Sequence, residues 1–388
     1  ELIDRCITDK VVMVTGAGGS IGAELCHQIL MAGPKELILL DNSEYALYQA
    51  ERSLRELQAR LGSHIEMVVL LGSVQDQRRL ETIFNTFGVQ SVYHAAAYKH
   101  VPMVEYNVAE GVYNNVFGTW YTAEAARRTG VETFVLVSTD KAVRPTNIMG
   151  ASKRFAELVL QGVAQNDYHT RFCMVRFGNV LGSSGSVVPL FREQIEKGGP
   201  VTVTHPEVSR YFMSIQEAAQ LVLQASAMGT AGDVFVLDMG EPVRIVDLAK
   251  RMIRLSGYEM DHDTPVGEHI DIEFIGLRPG EKLHEELLLG TAVTGTGHPM
   301  IMRAEEECLS YTQMRLALKE LQQYCDNMDC VGITSVLSEA VDGFGGHEIR
   351  HDHVWVKQGR AGQRTPATAR PAVEAKVQKL FPERGPRD

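Results

Sequence analysis

A glycine-rich loop near the start of the chain joins a short apolar run to a helical pattern. The β-branched run Val11–Thr15 is followed by Gly16, Gly19 and Gly22, and residues 23–31 have a helical pattern. Glycines at this spacing allow a tight turn, a close approach of the backbone to a pyrophosphate and close packing of the helix on the strand. Phosphate oxygens then meet the unpaired N–H groups of the helix N-terminus. The sequence therefore predicts a dinucleotide-binding loop.

Asp41 follows the second apolar run, residues 37–40, about twenty residues beyond the last glycine of the loop. A carboxylate here accepts hydrogen bonds from the adenosine ribose and would repel a ribose phosphate, so NAD is favoured over NADP. The alternative is that Asp41 caps the next helix, a role that Asn42 or Ser43 could also fill. Loop and carboxylate together predict NAD as the cofactor.

Further cofactor contacts are predicted from the turns that follow later strands. Gly72–Val74 comes after the third apolar run and either meets the adenine or forms a surface turn. The predicted cofactor-binding residues are Gly16, Gly19, Ser20, Ile21, Gly22, Asp41, Ser73, Val74, Ala95 and Lys153.

Apolar runs alternate with helical patterns as far as Gly178, which is typical of a parallel sheet with right-handed crossovers. The predicted fold class is α/β, a Rossmann-like doubly wound parallel sheet with a smaller mixed α/β C-terminal substrate lobe. The NAD-binding domain is expected over residues 1–180 and about 205–240, where the run at 234–238 rejoins the sheet. The nucleotide-sugar-binding lobe is expected over about 181–204 and 241–345.

The last part of the chain, residues 346–388, has no apolar periodicity and is predicted to be a flexible tail. His347, His351 and His353 lie close together in it. A solvated cluster is favoured over a metal site, so no metal is predicted.

Charge and cysteine spacing limit the partners and the compartment. The net charge of -11 argues against nucleic acid, because phosphate binding needs a basic face. The six cysteines form no C-x-x-C pair, which argues against zinc and a disulfide framework and favours a reducing cytoplasm. No apolar run approaches about 18 residues, so no membrane span is predicted. Because the chain begins at Glu1, it is interpreted as a piece of a longer protein.

Ser138–Lys141 closes the strand predicted at 134–137, at the end of the sheet where α/β proteins bind ligands. Oxidation of a sugar alcohol makes the hydrogen on the neighbouring carbon acidic. A base there, with an acid beside it, can expel a β-hydroxyl as water. Lys141 can be that base only if burial or the charge of Lys153 lowers its pKa. The alternative is a solvated Asp140–Lys141 surface turn.

Met149 lies four residues before Lys153, which places both on one face of a helix. A methionine cannot transfer a proton, so the phenolic base expected at this position is missing, while Lys153 stays free to hold ribose hydroxyls. If Met149 only fills the core, Lys153 is an exposed helix lysine. Asn114 and Asn115 either cap the helix that follows them or orient a water.

Residues 10 to about 290 resemble extended short-chain dehydrogenase/reductases, and among them the large UDP-N-acetylglucosamine 4,6-dehydratases of polysaccharide biosynthesis, of the WbpM, CapD and PglF kind. The matching stretches are MVTGAGGSIGAELCHQI, YHAAAYKHVPMVE, NNVFGT, VSTDKAVRPTNIMGASKR, VRFGNVLGSSGSVVPLF and GLRPGEKLHEELL. Methionine at position 149 is itself typical of this group.

The resemblance implies the catalytic residues Thr139, Asp140, Lys141, Met149 and Lys153. Thr139 and Asp140 would help deprotonate the 4-hydroxyl while hydride passes to NAD. Lys141 would remove the proton from carbon 5, Asp140 would assist loss of the 6-hydroxyl, and the hydride would return to carbon 6. The product would be a UDP-2-acetamido-2,6-dideoxy-4-hexulose for O-antigen, lipopolysaccharide or capsule synthesis.

The resemblance also implies a set of contacts to the UDP-sugar. Arginine suits the diphosphate because its planar fork donates two hydrogen bonds. The implied substrate-binding residues are Lys99, Asn179, Arg210, Arg278 and Glu281. Residues 278–281 could instead be a plain turn, and His100 near Lys99 an ordinary loop histidine.

Relatives of this kind carry membrane-spanning helices ahead of the catalytic region. The resemblance implies a cytoplasmic catalytic domain, anchored in the bacterial inner membrane only through an N-terminal region that this chain lacks. The superfamily usually forms homodimers.

Two other functions compete with the dehydratase. A nucleotide-sugar 4-epimerase shares the cofactor and the fold, but usually needs the tyrosine and has no need of Asp140 and Lys141. A non-catalytic NAD-binding scaffold would explain Met149, but not the retention of Asp140, Lys141 and Lys153.

Overall fold

The computed structural model describes residues 3–167, 169–259, 269–286, 293–345 and 351–360. Its strands are β1 Val11–Thr15, β2 Glu36–Asp41, β3 Glu66–Leu71, β4 Ser91–His94, β5 Thr133–Val137, β6 Arg171–Arg176, β7 Asn179–Val180, β8 Val201–Val203, β9 Ser209–Arg210, β10 Phe212–Met213, β11 Asp233–Leu237, β12 Val243–Arg244, β13 Ile272–Phe274, β14 Val293–Gly295 and β15 Ile301–Ala304.

The helices alternate with the strands through the first half of the chain. They are α1 Ser20–Met31, α2 Glu44–Leu61, α3 Gln77–Phe87, α4 Val101–Tyr106, α5 Val108–Val112, α6 Gly118–Thr129, α7 Ile148–Ala164, α8 Val187–Glu196, α9 Ile215–Met228, α10 Ile245–Leu255, α11 Tyr311–Asp326, α12 Cys330–Ala340 and α13 His353–Lys357. A π-helical turn, Tyr113–Phe117, joins α5 to α6. In the described residues, no helix combines the length and the apolar character that a bilayer crossing requires.

The main sheet has the order β14-β15-β11-β6-β5-β4-β1-β2-β3 in the described chain. The seven strands from β11 to β3 pair in parallel, and β15 and β14 extend the sheet in antiparallel pairing. The chain reverses its direction of travel across the sheet between β1 and β4, the point at which such sheets bind ligands. The predicted doubly wound α/β fold is confirmed, including the return of β11 to the sheet.

Helices cover both faces of this sheet, so its central strands are apolar throughout rather than alternating. All five residues of β1 are buried. Met13 belongs to the apolar core on one face, and Val12 and Val14 belong to the core on the other. Continuous burial holds the carboxyl ends of β1, β4, β5 and β6 at one edge, and the loops there form the site.

A separate small core defines the second lobe. It joins α8, β8 and α10, and its central residues include Phe191, Val201 and Ile253. β8 pairs in parallel with β13 outside the main sheet. Strand β9, which pairs with β12, supplies Arg210 to the cavity edge, and the turn at 278–281 lies at the same edge.

The predicted extent of this lobe is wrong at its C-terminal end. β14 and β15 belong to the main sheet, and α11 and α12 pack on α7 with Met314 and Ile333 in the main core. Residues 293–340 thus build the first domain. The short apolar runs in this stretch predict burial. They do not indicate whether the main core or the core of the second lobe buries them.

Part of the predicted flexible tail is also folded. Residues 353–357 form α13, and Trp355 is only 3% exposed. The prediction failed here because a single helical turn has too few residues to show periodicity. His347 and residues 361–388 lie outside the described residues.

Candidate functional site

A cavity of about 840 Å³ opens at the carboxyl ends of β1, β4, β5 and β6. Residues from widely separated parts of the sequence line this cavity. The predicted site residues that line it are Gly16, Gly19, Ser20, Ile21, Gly22, Ala95, Lys99, Thr139, Lys141, Met149, Lys153, Asn179, Arg210, Arg278 and Glu281. Cofactor and substrate residues therefore share one cavity.

The glycine loop packs too tightly for side chains at two of its positions. A Cβ at Gly22 would lie 2.0 Å from the carbonyl oxygen of Gly16, and a Cβ at Gly16 would lie 2.6 Å from the amide nitrogen of Ala96. Gly16 also has φ +68, a conformation that favours glycine. Since α1 begins at Ser20 without a side-chain cap, its first N–H groups remain available to an anion. This loop fits a pyrophosphate.

Asp41 at the end of β2 belongs to this loop rather than to the next helix. Its carboxylate accepts hydrogen bonds from the amides of Gly18 (2.9 Å) and Ser43 (2.8 Å). Ser43 itself caps α2 by accepting from the Ala46 amide. The alternative role of Asp41 as the cap of α2 is therefore wrong.

A smaller cavity of about 140 Å³ adjoins the loop on the side of Asp41. Asp41, Gly72, Val74 and Ala95 line it, as expected for the adenosine end of a dinucleotide. Ser73 is not in its wall, and its hydroxyl accepts a hydrogen bond from the Gln75 amide at 3.1 Å. Gly72 and Val74 thus offer the surface that was predicted for Ser73 and Val74.

Thr139, Asp140 and Lys141 form a hydrogen-bonded group around the buried Asp140, one residue beyond the end of β5. The hydroxyl of Thr139 donates to Asp140 Oδ1 at 2.9 Å, and Lys141 Nζ donates to the same oxygen at 3.0 Å. Lys141 Nζ also donates to Asn179 Oδ1 at 3.2 Å. Asp140 is fully buried and the side chain of Lys141 is 20% exposed, so a solvated surface turn does not describe them.

Lys141 carries a positive charge in this state of the protein. Burial lowers its pKa, but the carboxylates of Asp140 and Glu285 more than offset that effect, and the pKa is raised above its ordinary value. The condition set by the sequence for a base role, a pKa lowered by burial or by Lys153, is therefore not met by these surroundings. A base role for Lys141 requires that one of the neighbouring negative charges be neutralised first.

Glu285 is a site residue that sequence reasoning missed. Its Oε1 lies 3.7 Å from Lys141 Nζ and 3.9 Å from Arg210 Nε. Its other oxygen, and Asp140 Oδ2, are buried without a hydrogen-bond partner in the described residues. The sequence offers one indication of a role for Glu285, its place in the stretch GLRPGEKLHEELL. The resemblance implies Glu281 of that stretch as a substrate contact, and not Glu285.

Met149 and Lys153 lie one turn apart in α7. Met149 is 2% exposed and lines the cavity where a phenol was expected. Lys153 Nζ donates a hydrogen bond to the carbonyl of Val137 at 2.8 Å, and burial lowers its pKa to about 8 against the opposing effect of Glu157. An exposed helix lysine is thus excluded.

Asn114 and Asn115 lie in the π-helical turn, a feature that is frequent at functional sites. Asn115 accepts a hydrogen bond from the Tyr98 amide (2.8 Å) and donates one to the Tyr98 carbonyl (3.0 Å). It therefore holds a loop instead of capping a helix. Asn114 lines the smaller cavity and accepts from Gln75 Nε2.

Arg210 and Glu281 form the polar end of the cavity. Arg210 donates to Glu281 Oε1 at 3.1 Å and to the carbonyl oxygens of Ser209, Lys282 and Leu283. Residues 278–281 do form a turn, in which the Glu281 amide donates to the Arg278 carbonyl. The plain turn is therefore present; it also lines the cavity, and contact of Arg278 and Glu281 with the substrate stays a prediction.

A buried ionic network supports the reacting groups from behind. Glu157 of α7 accepts hydrogen bonds from the Ser138 hydroxyl (2.6 Å) and from Arg176 Nε (2.8 Å). Arg154 and Glu306 complete the network. It ties the ends of β5 and β6 to the helix that carries Lys153.

The sequence pattern of a family described as polysaccharide biosynthesis protein matches residues 12–306. The chain is 54% identical over 287 residues to the capsular polysaccharide biosynthesis protein CapD of Staphylococcus aureus, covering 74% of this chain and 46% of CapD. It spans about half the length of the first curated relatives that it matches. UDP-glucose 4-epimerases are also among its relatives.

Two solved structures show the same fold. Pen from Bacillus thuringiensis has a TM-score of 0.68 and 30% identity, covering 81% of this chain and 98% of Pen. DesIV of Streptomyces venezuelae, a dTDP-glucose 4,6-dehydratase solved with NAD and TYD bound, has a TM-score of 0.62 and 20% identity, covering 82% of this chain and 97% of DesIV. NAD in such neighbours supports the predicted cofactor.

Proposed function

The chain belongs to the family of polysaccharide biosynthesis proteins, and on that premise we propose that it is an NAD-dependent nucleotide-sugar 4,6-dehydratase acting on UDP-N-acetylglucosamine. The observation that carries the proposal is that Thr139 and Lys141 line the cavity and both donate to the buried Asp140 behind them, with Met149 in the place of a phenol. An acid and a base side by side suit elimination of water, and simple oxidation does not require both.

The residues of the glycine loop and Asp41 would hold NAD, with Gly72 and Val74 at the adenosine end and Lys153 at the nicotinamide ribose. When bound, NAD supplies the oxidation at carbon 4 and the later reduction at carbon 6. Lys153 suits the ribose because its ammonium is fixed by Val137 and reaches the cavity. Asp41 keeps the capacity to accept ribose hydroxyls, since each oxygen of its carboxylate has more than one acceptor position.

The first proton transfer would pass through Thr139 to Asp140. The Thr139 hydroxyl lines the cavity and already donates to Asp140 Oδ1. As the 4-hydroxyl of the sugar loses its proton to Thr139, Thr139 passes its own proton to Asp140. Asp140 is fully buried, so the protonated form is not penalised by loss of hydration.

Protonation of Asp140 prepares Lys141 for the second step. The Asp140 carboxylate is the leading charge that raises the pKa of Lys141, and once it is neutral the effect of burial acts with less opposition. Lys141 then passes a proton to Glu285, 3.7 Å away, and as a free amine it accepts the proton from carbon 5. Asp140, now an acid, gives its proton through the Thr139 hydroxyl to the departing 6-hydroxyl.

The UDP end of the substrate would lie against Arg210, Arg278 and Glu281, with Asn179 and Lys99 nearer the sugar. The Arg210 side chain is 7% exposed, lines the cavity and is held by Glu281 and three carbonyl oxygens, so its charge has a fixed position. A fixed positive charge suits a diphosphate better than a mobile one. Glu281 accepts from Arg210 and Thr204 and can also accept from a ribose hydroxyl.

We further propose that this chain is the cytoplasmic catalytic domain of a homodimeric protein. A membrane anchor would lie in an N-terminal region outside this chain, as the relatives' greater length permits. The product would enter capsule, O-antigen or lipopolysaccharide synthesis.

A 4-epimerase is the second candidate, because such enzymes are among the relatives and the solved neighbours. Met149 and the Asp140–Lys141 pair favour the dehydratase.

Incubation of the purified chain with UDP-N-acetylglucosamine distinguishes the functions by product mass. We expect a product lighter by one water. A product of equal mass would establish the epimerase instead, and an unchanged substrate with NAD still bound would favour the scaffold.

A further inference from the structure

The wall of the cavity on the side of the sugar residues is formed by one segment, residues 98–107, which we call the cavity loop. It contains Lys99, His100 and α4, and most of its residues line the cavity. Its first residue, Tyr98, is held at both backbone groups by Asn115. The loop is therefore fixed at its start by the helical segment that follows it.

The end of the cavity loop lacks a cap of its own. Asn107 precedes α5 in the N-cap position, but its side chain donates to the Met103 carbonyl and caps nothing. The first amide of α5, at Val108, instead donates to Oδ2 of Asp352 at 2.9 Å. Asp352 lies 244 residues further along the chain. A helix N-terminus needs such an acceptor, because its first N–H groups have no partner within the helix.

Asp352 is itself held by the helix that it begins. It is 6% exposed, and its Oδ1 accepts from the Trp355 amide at 2.9 Å, which caps α13. Trp355 lies in the same apolar core as Val104 and Val108, and the ring of His353 lies 4.8 Å from that of Tyr106, the last residue of α4. One carboxylate thus joins two helix N-termini, one of them at the end of the cavity loop.

We propose that Asp352 is a positioning residue for nucleotide-sugar binding, which holds the cavity loop in its binding shape through Val108. The proposal rests on the proposed function for the identity of the ligand. The family pattern matches residues 12–306, so the carboxylate that holds Val108 comes from outside the matched region.

Without the carboxylate, the Val108 amide is left without its acceptor and the end of the loop can leave its folded position. Affinity for a ligand falls in proportion to the fraction of molecules in the binding-competent shape. Loss of an N-cap of this kind raises the equilibrium constant for opening about fivefold to tenfold, which is the upper limit for the loss of affinity. The Lys153 amine is held by Val137 and the Gly18 amide by Asp41, so neither hydrogen bond depends on the end of the cavity loop at Val108, and NAD affinity should be unchanged.

The test uses the full chain with Asp352→Ala and, as a matched control, Lys357→Ala, an exposed residue of the same helix. Hydrogen exchange of residues 98–112 reads the loop directly and needs no substrate. We expect Asp352→Ala to speed exchange in this segment about tenfold while the amides of β1, β4 and β5 keep their rates. Lys357→Ala should match the wild type, and Asp352→Asn, which keeps one acceptor, should fall between.

The second measurement is steady-state kinetics with UDP-N-acetylglucosamine. Asp352→Ala should raise KM by up to about tenfold and leave kcat and NAD affinity within about twofold of the wild type. Unchanged exchange in residues 98–112, or faster exchange throughout the sheet, would overturn the proposal, as would an unchanged KM. If the wild type forms no dehydrated product, the proposed function fails, while hydrogen exchange still decides the role of Asp352.

Discussion

Lys153 Nζ donates a hydrogen bond of 2.8 Å to the carbonyl of Val137, which fixes the amine of α7 to the end of β5. Burial of this amine lowers its pKa to about 8. The ammonium is therefore present at neutral pH and is lost as the pH rises through about 8, well below the usual range for lysine. A charge that binds the cofactor ribose would be lost over the same interval.

We predict that NAD affinity weakens as the pH is raised from about 7 to about 9, because the deprotonated amine is a poorer donor to ribose hydroxyls. Calorimetric titration of NAD at several pH values measures this. Lys153→Met should bind NAD weakly at every pH and show a flat profile. A wild-type profile that is flat as well would refute the role of Lys153.

Gly22→Ala should abolish or severely weaken NAD binding, since its Cβ would come within 2.0 Å of the Gly16 carbonyl oxygen and displace the loop. The control is Gly297→Ala, where a Cβ meets no atom within 4 Å. Fluorescence titration with NAD compares the two. Equal affinities in both variants would mean that the loop does not hold the cofactor.

Arg210→Lys should raise KM for the UDP-sugar at least tenfold with a smaller change in kcat, because an ammonium cannot reproduce the fork that Glu281 and the carbonyls at 282 and 283 orient. Arg244→Lys, at an exposed position in the neighbouring strand β12, is the matched control. Steady-state kinetics of both variants gives the comparison. A KM for Arg210→Lys equal to that of the control would remove Arg210 from the substrate site.

Glu157→Gln should destabilise the protein by about 3 kcal/mol, the usual cost of leaving a buried charge without its partner. Burial alone would raise the pKa of Glu157. Arg176, Arg154 and Ser138 have a larger, opposite effect, and the pKa is lowered to about 2. Because its folded pKa is depressed, Glu157 contributes stability above its unfolded pKa of about 4.5, and this stability is lost as the pH falls toward 2.

Urea denaturation at several acidic pH values tests the ionic network. The variant should lose part of the pH dependence of unfolding that the wild type shows below about pH 4.5. Glu196→Gln, at an exposed position in α8, should behave as the wild type. Identical pH dependence in Glu157→Gln and the wild type would show that the network is neutral to stability.

Local motifs allowed most of the cofactor site to be predicted from sequence. The glycine loop, Asp41 and Lys153 each lie at a fixed distance from the strand or helix that places them, so spacing alone located them. The charge on Lys141 could not be predicted in this way. It depends on burial, on the neighbouring Asp140 and also on Glu285, which lies far along the chain and was not identified from the sequence.

Long-range packing also explains the other differences. β15 joins the sheet by pairing with β11, and β14 joins it by pairing with β15; nothing in their own short runs identifies those partners. Asp352 caps a helix across 244 residues, a contact that no local pattern indicates. Tertiary contacts of this kind decide where short elements belong.

The central claim is that Lys141, prepared by Asp140, removes the proton from carbon 5. The direct measurement is turnover of UDP-N-acetylglucosamine in deuterium oxide by the wild type and by Lys141→Ala, with NAD binding measured in both. We predict a dehydrated product with deuterium at carbon 5 from the wild type, and at least a hundredfold slower formation by Lys141→Ala with normal NAD binding. Near-normal turnover by Lys141→Ala with deuterium still entering at carbon 5 would contradict the account.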